Sequence, residues 1–235
     1  LAMLSKGSVV GLPVVILLCI WWLRGTISKR DIIRSIPFLV VSAAMSVVEI
    51  WFQYNRAISA DVVRTDSFLS RLAGAGWAVW FYLYKAVLPM NLTVIYPRWK
   101  IDPANPVSYV PGLLLIVLLV LAWWYRRGWG RSVFFALSFY IVMLLPVLGF
   151  FNIYFMRYSF VADHYQYVSI ISIIAFVISV VYRYLGAGVL RIAAVFSLML
   201  LGGATWQQGS LYKDAETLWN DTLRKTPDCV MAHNN

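Results

Sequence analysis

Apolar residues in this chain run in long unbroken blocks instead of alternating with polar ones. Blocks at roughly 8–24, 34–53, 109–125, 132–151, 166–182 and 189–206 approach the ~20 residues a helix needs to cross a bilayer. They are rich in Leu, Ile, Val, Phe and Trp and show no period of two, so the pattern predicts membrane helices and not a barrel. A seventh block, 71–92, differs: it carries Lys85 and Pro89 and is crowded with Trp77, Trp80, Phe81, Tyr82 and Tyr84. An ionisable residue deep in a span is costly, so this block reads as interfacial or re-entrant.

The pattern changes after Trp206. Asp214-Ala215-Glu216-Thr217-Leu218-Trp219 and Leu223 predict one amphipathic soluble helix, Pro227-Asp228-Cys229 a turn, and Ala232-His233-Asn234-Asn235 the first residues of another helix. The expected organisation is a membrane domain over 1–208 and the beginning of a helical repeat array over 209–235. Because the chain opens on Leu1 inside an apolar run and closes in mid-repeat, the natural protein is expected to extend in both directions.

Composition agrees with the pattern. Hydrophobic residues make up 61% and charged residues 13%, which excludes an ordinary soluble domain. The net charge of +10 raises nucleic acid as a partner, but the basic residues sit in short loops between spans, where the positive-inside rule puts them. Arg24, Lys29, Arg30 and Arg34 mark one loop, Arg126, Arg127 and Arg131 a second, and Arg183 with Arg191 a third. If 71–92 does not cross, all three fall on one side of the membrane; if it crosses, one must face the other way. The expected fold is therefore an all-α polytopic bundle of about six crossings plus one interfacial or re-entrant segment. Regions 55–107, 152–165 and everything after Trp206 then share the outer face. Lys6, Arg56, Asp61, Arg64, Asp66, Arg71, Arg98, Lys100, Asp102, Arg157, Asp163 and His164 converge there.

Cys19 and Cys229 form no disulfide framework and have no partner at metal-ligand spacing. The N-terminal run lacks a signal-peptide pattern. Neither a zinc signature nor a Gly-rich phosphate loop is present.

Several polar motifs admit two readings. Lys6, in Ser5-Lys6-Gly7, either snorkels to the interface or holds a phosphate beside a helix start. The stretch Met90–Pro103 offers Tyr96, Arg98, Trp99 and Asp102: aromatics stack on sugar faces and cations bind phosphate, or the same residues form an aromatic belt with a Pro-stiffened loop. Arg157-Tyr158-Ser159-Phe160-Val161-Ala162-Asp163-His164-Tyr165-Gln166-Tyr167 is the densest polar cluster. Asp163 either caps the next helix or joins Arg157 and His164 in binding a charged head group. Glu49, near the outer end of its span, is expected to pair with Arg56. Asn91-Leu92-Thr93 and Asn220-Asp221-Thr222 match the N-glycosylation sequon, which matters only in a eukaryotic lumen.

The order of these pieces resembles a family. Ser5-Lys6-Gly7 precedes a Pro-containing span, Leu88-Pro89-Met90-Asn91-Leu92 with Tyr96-Pro97 forms an outer loop, and Phe155–Tyr167 precedes another span. Ala215-Glu216-Thr217-Leu218-Trp219 with Pro227 and Ala232–Asn235 follows. Together they resemble membrane-anchored tetratricopeptide-repeat proteins whose hydrophobic half is a GT-C-type glycosyltransferase, the transmembrane O-mannosyltransferases and their bacterial relatives. The resemblance implies an external active site in a bacterial periplasm or an endoplasmic reticulum lumen, with no cofactor beyond a lipid-linked sugar donor, a polyprenyl-phosphate sugar. It also implies transfer to a protein hydroxyl, with acceptor or partner proteins presented by the repeats. On it, Lys6, Arg157, Asp163 and His164 are candidate donor-phosphate residues, and the catalytic carboxylate is expected in a loop preceding Leu1.

Overall fold

The computed structural model describes residues 7–58 and 62–234; Lys6 and Asp61 lie outside them. Every element among the described residues is helical. Helix α1 (Leu12–Arg24) takes Pro13 in its first turn, where a missing N–H costs nothing. It stops at Gly25, whose φ of 81° suits a glycine. Helix α2 (Lys29–Phe52) starts from a reciprocal cap between Ser28 and Asp31 and runs into a π turn over Gln53–Ile58. Helix α3 (Phe68–Val87) is capped by Ser67. Helices α4 (Val110–Trp124), α5 (Gly130–Leu144) and α6 (Ile170–Ser210) follow, then the short α7 (Ala215–Lys225) and α8 (Val230–Asn234).

Four segments are long and apolar enough to cross a membrane: Lys29–Ile58, Pro106–Trp124, Gly130–Val147 and Ile170–Ser210. Val9–Arg24 is a shorter apolar helix. The protein is thus all-helical and carries the apolar helices of an integral membrane protein. The predicted block 132–151 ends its α-helix early, at Leu144, because Pro146 has no N–H to continue it and the chain tightens into a 3-10 turn.

The blocks at 166–182 and 189–206 emerge as one 41-residue helix, α6, broken at Gly186, where φ is 79° and ψ 172°. A straight helix of that length would measure about 60 Å. Yet Asp163 just before it and Thr226 beyond it are tied to the adjacent residues Tyr96 and Ile95. One rod cannot bring both flanks to the same place, so the chain doubles back at Gly186.

The bundle has two distinct ends. At the lower end Arg131 donates to the Trp21 carbonyl at 3.1 Å, and Trp21 stacks on Trp123 at 5.5 Å. Basic loops 24–34 and 126–131 therefore lie together. At the upper end α3 packs over the neighbouring helices. Trp77 donates to the Ser108 carbonyl (3.2 Å) and Trp80 to that of Pro111 (2.9 Å), while Tyr140 donates to the Val79 carbonyl (3.2 Å). Those partners are the first residues of α4 and the last turns of α5, so α3 caps the bundle end. The contact is close: a Cβ on Gly76 would sit 2.7 Å from the Gly112 nitrogen. The core lies here, around Tyr82, Tyr140 and Leu144, all fully buried.

Helices α7 and α8 dock on the same end. Asp214 caps α7 through the Thr217 N–H (2.7 Å). Lys225 donates to the Leu92 carbonyl (2.7 Å) and Thr226 to that of Ile95 (3.1 Å), and Cys229 and Ala232 close over Ile95.

Candidate functional site

Ser159 and Tyr82 pin the loop before α6. Ser159 Oγ accepts from the Tyr96 N–H at 3.2 Å and donates to the Val161 carbonyl at 2.7 Å, and the Tyr82 hydroxyl accepts from the Ala162 N–H at 3.1 Å. This places Asp163 beside Tyr96, whose hydroxyl donates to both carboxylate oxygens, at 2.8 and 3.0 Å. The capping role open to Asp163 is not taken. Its 3-10 turn starts from Ala162 and α6 from Ser169, because the hydroxyl of Tyr96 claims the carboxylate. Burial pushes the Asp163 carboxyl above its ordinary value, against the opposing pull of Tyr96, Lys85, His164 and Lys225. Burial and the Asp163 charge hold the Tyr96 phenol up. Lys85 is buried nearby, donating to the Met90 carbonyl at 2.6 Å with its ammonium 5.3 Å from the Tyr96 ring.

Two hollows flank this junction. The first, about 430 Å³, is lined by Arg64, Asp66, Ser70, Arg98, Trp99, Lys100 and Phe160, with Thr65 and Ile101. Arg64 is paired with Asp66 and lies over the Phe160 ring at 4.2 Å. Arg98 approaches the same ring at 4.9 Å and donates to the Val63 carbonyl at 3.4 Å. Burial raises the Asp66 carboxyl, but the Arg64 hydrogen bond and charge outweigh it and hold the group below the usual carboxylate range. Trp99 forms the wall, edge-on to Phe81 at 5.5 Å. Three cations against one carboxylate, beside an indole, suit an anion that carries a flat apolar or sugar face.

The second hollow, about 450 Å³, lies between Tyr96, Arg98, Arg157 and Tyr158 on one side and Thr226–Val230 on the other. Arg98 lines both and donates to the Arg157 carbonyl at 3.5 Å. Arg157 is exposed and passes over the Tyr158 ring at 5.9 Å. His164 lines neither; it is exposed and packs edge-on against Tyr165 at 4.5 Å. Asp102 accepts from the Ala104 N–H at 2.9 Å, a turn-forming bond. Glu49 makes no ion pair with Arg56 among the described residues: both face outward, Arg56 on the π turn that rotates it away from the α2 face.

The structure thus unites Tyr96 with Asp163, and Arg98 with Trp99. Sequence reasoning missed Arg64, Asp66 and Phe160 as parts of one wall; the polar run Arg64-Thr65-Asp66-Ser67 before a helix was the available signal. No three His, Cys, Asp or Glu side chains among the described residues come together as a metal site. No family model, curated protein or solved structure matches this chain.

Proposed function

We propose that the upper end of this bundle binds a polyprenyl-phosphate sugar and that the protein is a GT-C-like membrane glycosyltransferase acting on protein hydroxyls. The observation that carries the reading is the cationic hollow of Arg64, Arg98 and Lys100, walled by Trp99 and Phe160, at the end of the bundle opposite the basic loops. Positive loops mark the cytoplasmic side, so this end faces a periplasm or lumen. On this reading α1, α2, α4, α5 and the two arms of α6 make six crossings, with α3 lying at the interface. Helices α7 and α8 begin a tetratricopeptide-type array.

The chemistry follows from charge. A polyprenyl phosphate gains negative charge as the glycosidic bond breaks, and Arg98 and Lys100 stabilise it. Trp99 orients the sugar. The acceptor hydroxyl loses its proton to a carboxylate, and no residue described here is assigned that task.

Transfer from a radiolabelled polyprenyl-phosphate sugar, in membranes holding the protein, tests the reading. Arg98→Ala and Arg157→Ala are expected to lower it at least about tenfold, equivalent to 1.4 kcal/mol, at unchanged expression. A second reading, a helical scaffold on a non-catalytic anchor, is favoured by the docking of α7 and α8 on the loop at Leu92 and Ile95. Absence of transfer from every donor, with partner capture intact in both variants, selects it.

A further inference from the structure

A different groove, about 300 Å³, opens between the end of α2 and the stretch Leu145–Ile153. Its volume is at the lower end of small-molecule sites, about 300–1,000 Å³. Most of the wall is apolar, from Val10, Ile50, Leu145, Val147 and Phe151. The polar groups on it are of one kind. Asn152 Oδ1 is buried without a hydrogen-bond partner. Glu49 brings a carboxylate, and Gln53 Oε1 already accepts from the Tyr154 N–H at 3.2 Å. Ser46 spends its proton on the Ser42 carbonyl at 2.8 Å. No cation lines the groove among the described residues. A buried acceptor left unpaired is unfavourable, and a carboxylate is unfavourable where its neighbours are lipid-facing. Those neighbours are Val48, Trp51 and Phe52, each more than half exposed. Both groups call for a positively charged N–H donor.

We propose that the groove holds an amine-headed phospholipid, its ammonium shared between Glu49 and Asn152 and one acyl chain along the apolar wall. Charge complementarity selects this occupant over an anionic lipid, and the orphaned Asn152 oxygen selects a primary ammonium over a quaternary one, which has no N–H to give. The surrounding bilayer supplies such a lipid directly. The proposal stands independently of sugar transfer.

The test is native mass spectrometry of the full chain from nanodiscs holding equal parts phosphatidylethanolamine, phosphatidylglycerol and phosphatidylcholine. The expected result is retention of phosphatidylethanolamine at least about fivefold above either other lipid, about 1 kcal/mol of preference. Glu49→Gln, at an exposed position, should bring that ratio close to one. Ile50→Trp, which fills the groove without changing charge, should abolish retention of all three. Equal retention of the three lipids by the unaltered protein, or a preference untouched by Glu49→Gln, overturns the proposal.

Discussion

The upper layer and helix α6 use similar residues and treat them in opposite ways. In the upper layer Met156 is fully buried, as are Tyr82, Tyr140 and Ser159. Along the 41 residues of α6 only Ser172 is buried, and Met199 is 71% exposed. In water such a surface would collapse. In a bilayer, lipid tails solvate it as well as another helix would, so no hydrophobic gain drives its packing. Apolar pattern thus places α6 in the membrane without fixing it to anything. Cohesion comes from the layer above, where tyrosine and serine hydroxyls satisfy loop backbone groups and leave aromatic rings to fill the space between α3, α4 and α5.

Truncating a matched pair of residues is the hardest test of that contrast. Met156→Ala should lower stability in detergent by about 2–5 kcal/mol, as for a well-packed core position. Met199→Ala should change it by less than about 0.5 kcal/mol. Equal losses would mean that α6 packs far more tightly than its exposure indicates. Adding bulk gives the next largest difference. A side chain at Gly76 meets the Gly112 backbone, whereas nothing lies within 4 Å of a Cβ on Gly203. Gly76→Leu should cost about 1–3 kcal/mol and Gly203→Leu should be silent, both read from thermal unfolding.

The same contrast explains how much could be read in the sequence. Unbroken apolar runs reveal span-length helices because a lipid-facing helix needs only length and hydropathy, and the run at 110–124 shows this within a residue at each end. Lys85 and the aromatics around it set 71–92 apart, and α3 does pack unlike the other helices. The upper layer is harder to read because its contacts join residues far apart in the chain. Tyr96 meets Asp163, and Arg64 meets Phe160, through loops whose paths have no periodic signal. Local logic even pointed Asp163 the wrong way, toward a cap, since a distant hydroxyl outcompetes the backbone it precedes. Gly186 was legible only as a gap between two blocks; its positive φ makes it a reversal.

A smaller effect is expected where α7 and α8 meet the layer. Thr226→Val keeps the shape and removes one buried hydrogen bond, to the Ile95 carbonyl at 3.1 Å. The expected cost is about 1 kcal/mol, with faster proteolytic cutting in the turn at 211–214. Unchanged cutting would show that the apolar contact of Cys229 and Ala232 with Ile95 alone holds the hairpin.

The finest test uses pH. Asp163 has its pKa raised by burial, so between about pH 4 and that raised value the folded state holds a proton the unfolded chain has lost. This group therefore stabilises the fold increasingly as pH falls from neutral toward 4, and that contribution is lost as pH rises through the folded-state pKa. Asp66 behaves oppositely: its depressed pKa contributes stability that is lost only as pH falls below the ordinary carboxylate range. A window from pH 7 to 5 separates the two. Asp163→Asn keeps an acceptor for the Tyr96 hydroxyl and removes the titration. Across that window the melting temperature of the unaltered protein should gain on that of the variant as pH is lowered. Parallel curves would mean that Asp163 is charged in the folded state throughout, held by Lys85 despite its burial, and the upper layer would then owe part of its cohesion to an ion pair instead of to hydroxyls and packing.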